Sequence, residues 1–193
     1  MVNGTVGTTI EGNIDPIEAI GKVCQKHNIW YHIDAALAGS LFVSEKYRNK
    51  IGNCKAVDSV TWDPHKALVV PLQASFFFCK HDGLMLEANS SKADYLFMKE
   101  RASYSGSLDT GDKSLQCGRN IDILKLWVYL KGNGWKNIGK QVDAEHEMAL
   151  YAQEYMKKHS ENFELLYNEV DSFCVSFYAL PNSLKLKNFK SED

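Results

Sequence analysis

The sequence predicts an α/β fold with a largely parallel sheet, and two patterns carry that prediction. Three short runs of β-branched and aromatic residues, at 29–33, 59–62 and 74–79, alternate with stretches of helical apolar spacing. Strands this apolar are typical of sheets that helices cover on both faces. Polar residues follow the first two runs, and open α/β sheets place their chemistry at such strand ends. We therefore expect Asp34 and Lys66 at one edge of the sheet, while the third run could return antiparallel.

A helix is predicted before the first of these strands. Asp15 can cap free amides, Pro16 suits the first helical position, and Glu18 stands three residues after the cap. Ile17 and Ile20 begin an apolar stripe at helical spacing. We expect this helix to end near residues 27–28, where the strand residues begin.

The chain changes character after the third strand. The polar segment 84–113 has serines clustered around Tyr104, which predicts a mobile loop that carries a tyrosine. Residues 120–130 then predict a helix that ends at the glycines near 132–134. The apolar face of this helix should consist of Ile121, Leu124, Trp127 and Val128.

The last third of the chain predicts a second unit. A long helix at about 138–158 is followed by strand-like runs at 163–167 and 173–178, which are typical of the opening of a small α+β domain. We accordingly divide the chain into 1–135, part of a large domain, and 136–193, a connecting helix and the start of a small C-terminal domain.

Composition argues against several classes of function. The 193 residues carry a formal net charge of -2, which gives no electrostatic footprint for nucleic acid or an anionic membrane. The five cysteines are scattered without a Cys-x-x-Cys pair, which indicates reduced thiols and no metal site. No apolar run is long enough to span a bilayer, and the start lacks a signal-peptide pattern. We expect a cytoplasmic protein.

Lys66 is the residue that most needs an explanation. A lysine is nucleophilic only when part of it is unprotonated, and apolar surroundings favour the neutral form. A carboxylate at one strand end and a lysine at the next are the minimal equipment of a pyridoxal phosphate enzyme, because the amine can bind the cofactor aldehyde and the carboxylate can keep the pyridine nitrogen protonated. On position alone, Lys66 also fits a surface lysine packed on its neighbours, and Asp34 also fits a helix cap.

The motifs around these residues are more specific. They are Gly7-Thr8-Thr9, His32-Ile33-Asp34-Ala35-Ala36, Asp58-Ser59-Val60-Thr61-Trp62, Pro64-His65-Lys66, Leu72-Gln73, Tyr95-Leu96-Phe97, Asp109-Thr110-Gly111-Asp112-Lys113 and Gln116-Cys117-Gly118-Arg119. In order and spacing, over about residues 2–180, they resemble the group II pyridoxal-dependent decarboxylases. The last three motifs resemble the branch that acts on acidic amino acids, namely glutamate, cysteine sulfinate or aspartate, rather than the aromatic branch.

The resemblance implies a fold, a cofactor and an assembly. It implies a fold type I pyridoxal phosphate enzyme, of which this chain forms the back half of the large sheet domain and the start of the small one. It also implies a homodimer with the active site at the interface. The phosphate-binding loop and a C-terminal arginine for the substrate are then expected from other parts of a longer protein.

The resemblance also implies roles for individual residues. Lys66 would be the Schiff-base lysine, and His65 would contact cofactor or substrate. Asp34 would pair with the pyridine nitrogen, and Ala36 would lie against one face of the ring. Thr9 would lie close to the cofactor, although it also fits a plain turn residue.

Two further positions depart from the family pattern. Tyr104 lies near the position of the family's catalytic-loop tyrosine, which returns a proton to the substrate carbon, but the surrounding segment is slightly longer here. Asp63 stands where the family usually has asparagine, close to the cofactor phosphate. A carboxylate there would repel the phosphate, so we expect weaker cofactor binding.

The function expected from the residues and the resemblance is decarboxylation of an acidic amino acid. The alternative is a non-catalytic paralogue or fragment that keeps the fold and the dimer surface but binds little cofactor. The histidines outside these motifs, His27, His81, His146 and His159, are expected at solvated or capping positions.

Overall fold

Four short strands form the sheet that organises the molecule. The computed structural model describes residues 1–90, 111–116, 118 and 120–181. Strands β1 (Val2–Thr5), β2 (Tyr31–Asp34) and β3 (Ser59–Trp62) are parallel, and β4 (Phe76–Cys79) returns antiparallel to β3. Their order in the sheet is β1-β2-β3-β4. The predicted α/β fold with a largely parallel sheet is confirmed, although the sequence analysis missed β1.

Helix α1 (Ile17–Lys26) crosses from β1 to β2, as predicted, but Asp15 does not cap it. The Asp15 carboxylate accepts the backbone amide of Thr5 at 2.7 Å, and the Asp15 amide donates to the Thr5 carbonyl at 2.9 Å. Asp15 therefore joins the crossover to the end of β1. The reason is geometric, because the chain turns back against the strand before the helix begins.

Tyr31 is the centre of the packing between α1 and the sheet. Its ring is fully buried, and its hydroxyl donates to the Ile17 carbonyl at 3.2 Å. Burial, with smaller contributions from nearby acidic groups, raises the pKa of Tyr31 to about 12. A Cβ built on Gly4 would lie 2.6 Å from the tyrosine oxygen, so the ring fits only because β1 has a glycine there.

The sheet is less covered at its β4 edge than the sequence suggested. Phe77 and Phe78 point to opposite faces, and each is about half exposed (50% and 51%). The expected burial of both faces is therefore wrong for this strand. The physical reason is its position, since β4 is the last strand of the sheet within the described residues.

The helices that follow agree with the prediction in position but not in every detail. Helix α2 (Leu84–Asn89) and a 3-10 turn (Gly111–Lys113) occupy parts of the segment predicted as loop, and residues 91–110 between them lie outside the described residues. Helices α3 (Asp122–Asn133) and α4 (Trp135–Lys158) are both present. On α3, however, the predicted apolar face is exposed, and the buried residues are Asp122 and Leu126. No helix in the described ranges is both long and apolar enough to cross a bilayer.

The C-terminal segment 170–176 returns to the loop that follows β1. Ser172 Oγ donates to the Gly12 carbonyl and Ser176 Oγ to the Ile10 carbonyl, both at 2.6 Å, and Asp171 accepts the Ile14 amide at 3.2 Å. We call this segment the anchor. Strand β5 (Phe163–Leu165) precedes the anchor and β6 (Phe177–Ala179) follows it, and the two strands pair antiparallel.

His146 on α4 is fully buried against the anchor, so its expected solvated position is wrong. Its Nδ1 bonds the Ser172 carbonyl, and its ring meets the Tyr47 ring edge-on at 4.3 Å. Because a carbonyl can only accept, Nδ1 carries the proton. Burial lowers the pKa of His146 and outweighs the opposing effect of the bond to Ser172, and the nearby charge of Lys50 lowers the pKa further. The histidine is thus a neutral part of the packing.

Candidate active site

The parallel pairing of β2 and β3 brings the predicted site residues to one edge of the sheet. Asp34 ends β2 in register with Thr5 on one side and Thr61 on the other. Its Oδ1 accepts the Ala36 amide at 3.1 Å, which orients the carboxylate over the turn that follows. Ala35 is fully buried below this turn, whereas Ala36 is only partly covered.

The turn after β3 presents Lys66. The Lys66 amide donates to the Asp63 carbonyl at 2.9 Å, and the Val70 amide donates to the Pro64 carbonyl at 3.3 Å. These bonds reverse the chain towards β4. Within the turn, Lys66 Nζ lies 3.2 Å from Asp63 Oδ2, and the other carboxylate oxygen of Asp63 accepts the Ser75 hydroxyl. The lysine is exposed (41% of its side chain), while the aspartate is nearly buried (12%).

His65 is fixed to the returning chain through one ring nitrogen. Its Nδ1 lies 2.6 Å from the Ala74 carbonyl and 3.2 Å from the Ala74 amide, so Nδ1 donates to the carbonyl in one tautomer and accepts from the amide in the other. Either way Nδ1 is committed to Ala74. Nε2 is the nitrogen left to contact a ligand.

Lys66 lines an open cleft of about 640 Å³, a size typical of small-molecule sites. Leu37 and Ala67, which follow β2 and β3, line the cleft together with Glu145 and Met148 of α4. The C-terminal residues Phe173, Val175 and Phe177 line it as well. The cleft therefore joins the strand ends to the C-terminal third of the chain.

Glu145 is the cleft residue that the sequence analysis missed. Gln141 Nε2 donates to its carboxylate at 2.9 Å, and burial raises the pKa of Glu145 despite that bond. Its position on a long polar helix gave no signal in the sequence. Only the packing of α4 against the 3-10 segment Ala38–Val43, which follows β2, places it in the cleft.

The other predicted site residues are less closely placed. Thr9 is exposed in the loop that follows β1, at the same end of the sheet, where its carbonyl is 3.9 Å from Cys174 Sγ. Tyr104 lies outside the described residues. The structure thus brings Asp34, Asp63, His65 and Lys66 to one strand edge, with Thr9 on a neighbouring loop.

Comparison with known proteins assigns the chain to a family. The model of the pyridoxal-dependent decarboxylase conserved domain matches residues 1–180 of the chain. The chain belongs to this decarboxylase family. The fold type I assignment is confirmed, and pyridoxal phosphate is the cofactor of the family.

Individual relatives identify the branch of the family. A glutamate decarboxylase of Drosophila melanogaster is 41% identical over 186 residues, which are 96% of this chain and 36% of the relative. The crystal structure of mouse CSAD in apo form has a TM-score of 0.86 at 36% identity, over 100% of this chain and 39% of that one. A Catharanthus roseus tryptophan decarboxylase reaches 0.77 at 26% identity, over 94% and 35%. The higher identities confirm the acidic amino acid branch, and the chain spans little more than a third of each relative.

The residues present fit pyridoxal phosphate by their chemistry. A lysine amine that faces a cleft can bind an aldehyde, and a carboxylate at the same strand edge can accept a protonated ring nitrogen. Ala36, two residues after Asp34, is partly exposed and carries only a methyl group. The cofactor would therefore be held between Lys66 and Asp34.

Proposed function

We propose that the protein removes the α-carboxylate of an acidic amino acid, such as glutamate, cysteine sulfinate or aspartate, with pyridoxal phosphate attached at Lys66. The observation that carries the proposal is the position of Lys66, which faces the cleft from the same sheet edge that Asp34 occupies. The similarity to a glutamate decarboxylase and to mouse CSAD supports the class of substrate.

Each residue of the strand edge has a distinct task in this proposal. Bound cofactor supplies an electron sink for the bond that breaks when carbon dioxide leaves. Lys66 holds the cofactor through its amine, and Asp34 keeps the ring nitrogen protonated by accepting its hydrogen. Ala36 leaves room for the ring, and His65 offers Nε2 to cofactor or substrate.

Two parts of the proposal rest on the family alone. Tyr104 returns a proton to the substrate carbon, which requires the segment outside the described residues. The protein works as a homodimer with its active site at the interface. Asp63 and Thr9 complete the cofactor surroundings.

The test is the visible absorbance band that forms when pyridoxal phosphate is added to the purified protein. In the unaltered protein, borohydride reduction should remove this band. Lys66→Ala should form no such band. Lys125→Ala is the matched control, because Lys125 also pairs with an aspartate three residues earlier, Asp122, at 2.9 Å. The control should keep the band. Survival of the band in Lys66→Ala would remove the lysine from its proposed role.

One observation favours the non-catalytic alternative. The Lys66 amine already has a carboxylate partner in Asp63, which competes with cofactor attachment. If the unaltered protein forms no band at saturating cofactor, the non-catalytic function replaces the enzymatic one. A band together with released carbon dioxide from glutamate, cysteine sulfinate or aspartate supports the enzyme.

A further inference from the structure

Asp63 is placed to act on the Lys66 amine rather than on the cofactor phosphate alone. The two side chains come from one turn, three residues apart, with Nζ and Oδ2 separated by 3.2 Å. The turn itself is held by the Lys66 amide and the Asp63 carbonyl. The amine must leave this ion pair before it can reach a ligand in the cleft.

The carboxylate is held more firmly than the lysine. Asp63 is nearly buried, and the Ser75 hydroxyl donates to its second oxygen, so its position is set from the start of the returning chain. Lys66 is exposed and borders the cleft. The lysine can therefore move away from the aspartate, but the aspartate cannot easily follow it.

We propose that Asp63, positioned by Ser75, is a latch that holds the Lys66 amine in an ion pair until the cofactor arrives, and thereby slows cofactor attachment. This inference rests on the proposed role of Lys66. It makes Asp63 a positioning residue that acts through the lysine.

The latch follows from the chemistry of attachment. Nζ must lose one proton to solvent before its lone pair can attack the aldehyde carbon. The nitrogen then forms a double bond to that carbon, and the aldehyde oxygen leaves as water with two hydrogens. No oxidant or reductant is needed. Before any of these steps Nζ must leave the carboxylate, and this departure is the step that Asp63 opposes.

The experiment measures the rate at which the absorbance band forms, with pyridoxal as the probe as well as pyridoxal phosphate. Pyridoxal lacks the phosphate, so it is insensitive to repulsion between Asp63 and that group. Asp63→Asn should speed attachment of both probes roughly threefold to fivefold near neutral pH, in line with the strength of a partly exposed ion pair.

Asp122→Asn is the matched control, because it neutralises an equally buried aspartate in the other pair of the same spacing. It should leave both rates unchanged. A second measurement, made without cofactor, is the rate at which an uncharged amine-reactive reagent acylates Lys66. This rate should rise by a similar factor in Asp63→Asn. If Asp63→Asn does not fold, Asp63→Ser removes the same charge and is measured instead.

The outcomes separate the latch from the proposed function. No band in Lys66→Ala together with faster attachment of both probes in Asp63→Asn supports the latch. A gain with pyridoxal phosphate only, equal gains in Asp122→Asn, or no gain with either probe overturns it while leaving Lys66 as the attachment point. A band that persists in Lys66→Ala overturns the proposed function first, and the latch with it.

Discussion

The strand-edge site and the anchor both contain polar groups, but these groups differ in burial and in hydrogen bonding. At the anchor, Ser172 is fully buried, and its hydroxyl and carbonyl are both hydrogen bonded. At the strand edge, Lys66 is exposed and has one carboxylate contact among the described residues. A buried polar group whose hydrogen bonds are satisfied stabilises the fold. A partly exposed group beside a cleft can still form bonds to a ligand.

The same contrast separates the two Asp–Lys pairs of equal spacing. Lys125 donates to Asp122 and also to the carbonyls of Leu72 and Gln73, at 2.9 to 3.1 Å. Lys66 is directed to Asp63 and the cleft. Two Asp–Lys pairs of the same spacing therefore differ in how firmly the lysine is held. The difference is the number of hydrogen-bond acceptors around each amine.

The largest effect on stability should come from the contact between His146 of α4 and the anchor. His146→Ala should lower the free energy of unfolding by about 2–4 kcal/mol, because it opens a cavity beside Tyr47 and leaves the Ser172 carbonyl without a donor. Lys66→Ala should cost less than about 1 kcal/mol, as expected for an exposed ion pair. Urea unfolding of both variants measures the difference. Equal losses would break the contrast between the two regions.

A smaller effect should appear in the dependence of stability on pH. The lowered pKa of His146 means that the unfolded chain binds a proton more readily than the folded protein, so stability is full above the ordinary histidine value of 6.5 and falls as pH drops below it. Urea unfolding at about pH 7.5 and about pH 5.5 should show this loss, and His146→Ala should show less of it. An unchanged pH dependence in the variant would mean that another group is responsible.

The smallest effect should come from Glu145. Because burial raises its pKa, the folded protein binds the proton more tightly than the unfolded chain, and stability falls as pH rises above the ordinary value of 4.5. Glu145→Gln should therefore be slightly more stable than the unaltered protein at neutral pH, by less than about 0.5 kcal/mol, and no more stable near pH 4. Thermal unfolding at the two pH values measures this, and a destabilised variant at neutral pH would contradict it.

Local patterns in the sequence were sufficient for much of the fold. The apolar stripe of α1, the run that forms β3 and the glycines after α3 are signals within a few residues of one another. Strand β1 was missed because Val2-Asn3-Gly4-Thr5 contains two residues that strands disfavour, and its pairing with β2 decides the outcome. Tertiary contacts likewise decided the burial of His146 and the task of Asp15.

The site was predictable to the level of the strand edge. Parallel strands end together, so the sequence could place Asp34 and Lys66 at one edge. It could not show that Asp63 meets the lysine, because that contact depends on the turn and on Ser75, which comes from the returning chain. Glu145 was equally hidden, since a distant helix supplies it.

The most direct test of the account is to find the attachment point chemically. The protein is mixed with pyridoxal phosphate, reduced with borohydride and digested, and the peptides are sequenced by mass spectrometry. The account predicts the reduced cofactor on Lys66. Modification of another lysine, such as Lys125, with Lys66 unmodified would contradict it.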